Sequence, residues 1–200
     1  MVKIENLFKV EMVNGKRVLT DELNDNTDWV VKGEFDAYIK RDGTACLIKD
    51  GKLYRRYHNK KKRPVEADWI ACGGSKPTYW VPVKENESAD KWHRAVDITG
   101  LPNGTYELVG KHFQGNAEGG EDRLIKHDSE LVYLTPFPWR DAYYQYKHPQ
   151  ITKEVFNLYF KREPYYEGLV LHSRTEPKQY FKVRMNDFGI PRKRKEENGL

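Results

Sequence analysis

The sequence predicts an α+β protein built mostly from antiparallel sheet, and three observations carry that prediction. Asn14-Gly15 lies between two alternating runs, "LFKVEMV" and "KRVLTDEL", which is the strongest short-range hairpin signal because a type I′ turn needs positive φ at both central positions. Further runs rich in Val, Ile, Tyr and Phe recur along the chain, bounded by Gly, Pro, Asn and Asp. Helical periodicity is confined to a short stretch after Asp90 and a longer one after Ile151.

From the amino terminus, the chain reads as a β-hairpin followed by two or three strands in "WVVKGEFDAYIKRDGTACLIKDGKLYRRY", with turn candidates at Asp42-Gly43 and Asp50-Gly51. "HNKKKRPVEADWIACGGSKP" loses periodicity and gathers charge, Gly and Pro, so it reads as a surface loop before a short strand at "TYWVPV". "DKWHRAVDI" predicts a two-turn helix capped by Asp90. "GTYELVGKHF" and "SELVYLTPF" predict strands. In "ITKEVFNLYFKRE", Val155, Phe156, Tyr159 and Phe160 form one apolar stripe of an amphipathic helix that Pro164 stops. "YYEGLVLHSR" and "KQYFKVRMN" predict a last hairpin. Residues 1–190 are expected to form one domain, and 191–200 a charged, disordered tail.

Hydrophobic residues make up 38% of the 200 and aromatic residues 13%, too many for a chain unable to bury a core. The net charge of +5 is compatible with a polyanionic partner without establishing one. Cys46 and Cys72 lack CxxC or His/Cys spacing and read as reduced thiols. No signal-peptide pattern opens the sequence and no long apolar run interrupts it, so a cytoplasmic protein with no membrane association, monomeric, is expected.

Lys40-Arg41-Asp42-Gly43 has the form Lys-x-Asp-Gly between two β-like runs. Alone, it is explained as turn chemistry, as is Lys49-Asp50-Gly51-Lys52. Three later segments add weight: "YELVG" with Glu107, "YEGLVLH" with Glu167, and "YFKVR" with Lys182 and Arg184. Each sets a charged residue in or beside an apolar strand, where burial alone favours Val or Thr, and a carboxylate flanked by Leu and Val needs a partner. Gly168 after Glu167 suggests close backbone approach. Lys182 and Arg184 flank Val183, so on a strand both share one face.

Taken in order, "KRDG", "YELVG", "EGLVL" and "FKVR" resemble motifs I, III, IV and V of the covalent nucleotidyltransferase superfamily of DNA ligases, RNA ligases and capping enzymes. "IKRDGTACLI", "GTYELVGKHFQGN" and "EGLVLH" look most like the small vertebrate 5′-to-3′ RNA ligase and its bacterial and phage relatives. The resemblance implies a ligase adenylation-domain fold, with antiparallel sheets around an ATP cleft and no oligonucleotide-binding barrel. It also implies an ATP-dependent RNA ligase joining an RNA 5′-phosphate to a 3′-hydroxyl.

Under that resemblance Lys40 is the nucleophile, which must attack unprotonated although a free lysine has a pKa near ~10.4. Lys182 and Arg184 would hold the α-phosphate and offset transition-state charge. Asp42, Glu107 and Glu167 would hold Mg2+ or Mn2+ through water, and Gly43 would lie in the nucleotide site. Glu107 would reach the ribose or a metal-bound water. Arg55 or Arg56 would contact the nucleotide, and Tyr133 or Phe137 would stack on adenine. Arg184 departs from the lysine common at the second position of motif V. The competing readings are a DNA nick-sealing ligase, a guanylyltransferase of the capping type, and a non-catalytic RNA-binding module. The basic run Lys60 to Arg63 and the six histidines carry no decisive pattern; His172, on the strand after Glu167, is the histidine closest in sequence to a motif.

Overall fold

The computed structural model describes residues 4–74, 76–132, 149–163 and 166–191. In the first stretch lie strands β1 (Glu5–Asn6), β2 (Phe8–Val13) and β3 (Lys16–Leu23), helix α1 (Asp28–Val31) and β4 (Phe35–Lys40). The middle holds β5 (Thr44–Lys49), β6 (Lys52–His58), β7 (Ile70–Ala71), β8 (Thr78–Pro82), the one-turn helix α2 (Lys91–Arg94), β9 (Gly104–Val109) and β10 (Arg123–Lys126). The last part holds β11 (Leu131–Val132), α3 (Pro149–Arg162), β12 (Gly168–Ser173) and β13 (Tyr180–Arg184). The chain is thus a mixed α/β protein whose sheets are antiparallel apart from the short β1–β13 pair, which is parallel.

The described residues fall into two compact units: Arg41–Ser129, and Ile4–Lys40 together with Glu130–Lys193. The second unit contains the sheet β1-β13-β12-β4-β11 and the hairpin β2-β3. Alternate residues of β4, β12 and β13 supply its core: Phe35, Ala37, Leu169, Leu171, Phe181 and Val183 are all buried. Phe156 and Phe160 of α3 pack into the same core, with Tyr159 partly buried beside them, as the predicted stripe requires. Pro164 lies outside the described residues.

The first unit is the sheet β10-β9-β5-β6-β8-β7. Cys46, Ile48, Leu53, Tyr106, Leu108 and Phe113 form one buried cluster; Ala45, Cys72 and Trp80 form another. Neither cysteine is in a disulfide, and both are buried. The aromatic stretch around "TYWVPV" follows from this layering: β8 lies between β6 and β7, and consecutive Trp80 and Val81, which point to opposite faces, are both buried.

Two predicted hairpins form as type I′ turns. Asn14 and Gly15 (φ 51° and 75°) join β2 to β3, and Asp50 and Gly51 (φ 52° and 71°) join β5 to β6. The first Asp-Gly is not a hairpin. β4 pairs with β12 and β11, β5 pairs with β6 and β9, and Asp42-Gly43 links the two strands just past Lys40–Arg41, where the chain passes from one unit to the next. Trp29 and Val30, read from sequence as strand, lie instead in α1, because burial of both in the core overrides their β propensity. The predicted helix at Asp90 is reduced to a 3-10 turn and the single turn of α2. Asp90 gives no side-chain cap, because its fully buried carboxylate accepts from Arg55 Nε and, at 2.9 Å, from the Lys84 N–H.

Candidate active site

Within the second unit, register brings the predicted cations to one face of one sheet. Gly168 of β12 stands opposite both Lys40 of β4 and Arg184 of β13, and Val170 stands opposite Lys182. Directly opposed residues share a face, and so do residues two apart, so Lys40, Lys182 and Arg184 all project from the side opposite the buried Leu169 and Val183. Lys40 and Arg184 are two strands apart, roughly 10 Å at the backbone. Between them Gly168 contributes no side chain, and the β13 backbone approaches it closely. It has to be glycine, since an added Cβ would lie 2.1 Å from the Val183 carbonyl oxygen.

Lys40 Nζ donates to Glu167 Oε2, and both side chains are about a quarter exposed, at 26% and 21%. Glu167 is itself fixed where the strand begins: its carbonyl accepts from the Met185 N–H at 3.0 Å. Arg184 donates through Nε and Nη2 to Asp187 at 3.2 and 2.8 Å, a paired contact that raises its pKa further above the ordinary arginine value. His172 lies farther along the same face, with its ring 4.7 Å from Tyr38 and 4.5 Å from Tyr180. Three cations and two carboxylates gathered here form a surface suited to phosphate, with an amine at its edge.

In the first unit the three residues after Lys40 are held one by one. Glu118, whose side chain has no exposed surface, accepts from Arg41 Nη1 at 2.7 Å and from the Asp42 N–H at 3.0 Å. Glu107 Oε1 accepts from the Gly43 N–H at 3.2 Å, and Gln114 Nε2 donates to the Gly43 carbonyl at 3.2 Å. Gly43 lies so close to β9 that an added Cβ would stand 2.3 Å from the Leu108 carbonyl oxygen. This packing, and not positive φ, is what requires glycine there. The second oxygen of Glu107 lies 2.9 Å from His127 Nε2.

Arg55 and Arg56 separate by face. On β6, Arg55 pairs in register with Cys46 and Val81, and its Nε is engaged by the buried Asp90. Glu107 pairs with Ala45, one residue along, so Glu107 and Ala45 share the opposite face with Arg56 and its register partner Trp80. Arg55 is therefore a structural ion-pair residue, and Arg56 is the arginine on the Glu107 face. Tyr133 and Phe137 lie outside the described residues.

Glu118, Gln114 and His127 had no mark in the sequence reading. Glu118 sits in the Gly-rich "QGNAEGGED", which carries no strand pattern, and His127 has no metal-ligand spacing. Among the described residues no three His, Cys, Asp or Glu side chains are grouped to hold a metal ion. Glu107 and Glu167 already accept hydrogen bonds from Gly43 and Lys40. They fit contact with the water shell of an ion better than direct coordination.

No family model and no curated protein matches the chain. Among solved structures it is similar to an RNA ligase of Naegleria gruberi, a mutant solved with ATP and Mn, at 14% sequence identity and a TM-score of 0.36. The match covers 92% of this chain and 61% of that one, so the chain spans less than two thirds of the ligase chain's length. A likeness at this level assigns neither fold nor activity, and the functional reading rests on the residues.

Proposed function

We propose that the chain is an ATP-dependent RNA ligase that works through a covalent lysyl-AMP on Lys40. The observation that carries this reading is the common face shared by Lys40, Lys182 and Arg184 across the side-chain-free Gly168, with Glu167 on the Lys40 amine. Those residues lie in three of the four motif-like segments, and a surface-lysine account gives no reason for them to converge.

In the first step the Lys40 Nζ lone pair attacks the α-phosphorus of ATP. The N–P bond forms as the bond to the bridging oxygen breaks, and pyrophosphate leaves. Attack requires the amine to lose its proton and its contact with Glu167, which makes Glu167 the group that holds the resting nucleophile. Lys182 and Arg184 offset charge on the α-phosphate as it becomes pentavalent. Glu107 and Arg56, on one face of the other sheet, are assigned to the nucleotide. In the second step an oxygen of the RNA 5′-phosphate takes AMP from Lys40, restoring the amine. In the third an RNA 3′-hydroxyl attacks that 5′-phosphorus and AMP leaves. A divalent metal, Mg2+ or Mn2+, belongs to the reading: Asp42, Glu107 and Glu167 would hold it through water, and it would supply positive charge to the phosphates.

The test is a ligation assay with ATP, a divalent metal and single-stranded RNA bearing a 5′-phosphate and a 3′-hydroxyl. Joined product is expected from that RNA and none from the same RNA ending in 5′-hydroxyl. Preferential joining of nicked DNA would make the enzyme a DNA ligase, and joining of 5′-hydroxyl RNA would exclude the three-step route.

A further inference from the structure

A second site lies in the first unit, on the sheet face opposite Glu107 and Arg56. It is a cavity of about 370 Å3 whose lining includes Arg55, Tyr57, Arg63, Trp69 and Lys84. That volume is within the range of pockets that take small ligands, roughly 300–1,000 Å3. Three features distinguish it from an ordinary surface hollow. The Trp69 ring meets Tyr57 edge-on at 5.5 Å and Tyr79 at a tilt at 5.6 Å, an aromatic cluster of which Trp69 and Tyr57 reach the cavity. Arg63 is placed at the cavity by a clasp: buried Asn59 donates through Nδ2 to the Arg63 carbonyl at 2.8 Å and accepts from the Arg63 N–H at 2.9 Å. Its guanidinium has no ion pair among the described residues, whereas Arg55 is tied to Asp90 and Lys84 to Glu66.

The charges sort themselves accordingly. The acids in the lining are Glu66, Glu87 and Asp90; the first and last are neutralised by Lys84 and Arg55, leaving Glu87 against Arg63. The surplus lies on the clasped loop, where exposed Lys60, Lys61 and Lys62 run directly into Arg63. The site therefore offers the aromatic side chains Trp69 and Tyr57 in its lining and a row of cations leading away from it. A nucleobase has a π-face for such a lining, and only a strand supplies successive phosphates.

We propose that this cavity binds single-stranded RNA, with one base seated against Trp69 and Tyr57 and the adjoining phosphates along Arg63 and Lys60–Lys62. The choice of RNA among polyanions rests on the ligase reading.

Binding of a fluorescein-labelled single-stranded oligoribonucleotide with a 5′-hydroxyl end, without ATP, is measured by anisotropy on the whole protein and on Arg63→Glu and Trp69→Leu. Each variant is expected to bind about tenfold or more weakly. Wild-type affinity should fall with added salt, while labelling of Lys40 by ATP stays unchanged in both variants. Arg63→Glu, on an exposed loop, decides the matter if Trp69→Leu fails to fold by circular dichroism. Wild-type RNA binding by Arg63→Glu overturns the proposal. So does AMP competing as well as the oligonucleotide at equal concentration, which would make this a mononucleotide site. RNA binding that depends on Arg63 without any labelling of Lys40 would remove the ligase reading and leave this site standing.

Discussion

At Glu118 a carboxylate with no exposed surface meets a guanidinium that is itself only 9% exposed, and the same carboxylate takes the Asp42 N–H. Removing one member of a buried pair leaves the other charged and desolvated, so Glu118→Ala is expected to destabilise the protein by about 3–5 kcal/mol. Glu118→Gln, which keeps an acceptor for Asp42, should cost less. Urea unfolding of the two variants checks this, and equal midpoints with wild type would show that the Arg41–Glu118 contact is not held in solution. Glu118 was not legible in the sequence because its importance comes entirely from tertiary burial, and its neighbours Ala117 and Gly119 resemble any loop. Glu107 and Glu167 were legible for the opposite reason: a carboxylate among Leu and Val contradicts the strand around it, and the contradiction signals a partner. The partners themselves, His127 and Gly43 for Glu107 and Lys40 for Glu167, needed the fold.

Strand β12 brings Lys40 and Arg184 of the second unit to one surface, since Gly168 stands opposite both and β13 packs closely against it. In Gly168→Ala the new methyl must displace the β13 backbone at Val183, with an overpacking cost of about 1–3 kcal/mol. Because the shift occurs beside Arg184, the rate of Lys40 labelling is expected to fall more than the loss of folded protein explains. Single-turnover labelling normalised to folded fraction by circular dichroism measures this, and an unchanged rate would detach β12 from the site. The hairpins at Asn14-Gly15 and Asp50-Gly51 were readable because turn type dictates residue type locally. Asp42-Gly43 uses the same dipeptide for another purpose, and only sheet membership tells the two apart. The amphipathic α3 followed its periodicity, while α1 and α2 are too short to have a period and are set by what Trp29, Val30 and Asp90 bury.

For the molecule as a whole, a net charge of +5 with a basic run at Lys60–Arg63 is compatible with the polyanionic substrate proposed above without establishing it. No helix among the described residues is long and apolar enough to cross a membrane. The residues assigned to nucleotide chemistry fall on both compact units. Lys40, Glu167, Lys182 and Arg184 belong to one, and Asp42, Gly43, Arg56 and Glu107 to the other, with the Lys40-Arg41 peptide bond as the point where the chain passes between them. Lys40 ends strand β4, whose Phe35 and Ala37 lie in the core of one unit, and Asp42 and Gly43 after it are held by hydrogen bonds within the other. The central claim is that Lys40 forms a phosphoramidate with AMP. Its most direct test is to incubate the purified protein with ATP labelled at the α-phosphate and a divalent metal, denature it, and measure retained label beside Lys40→Ala. The account predicts label on the wild type and none on Lys40→Ala. Equal label on both proteins, or none on a wild type shown by intact mass to be free of bound AMP, would contradict it.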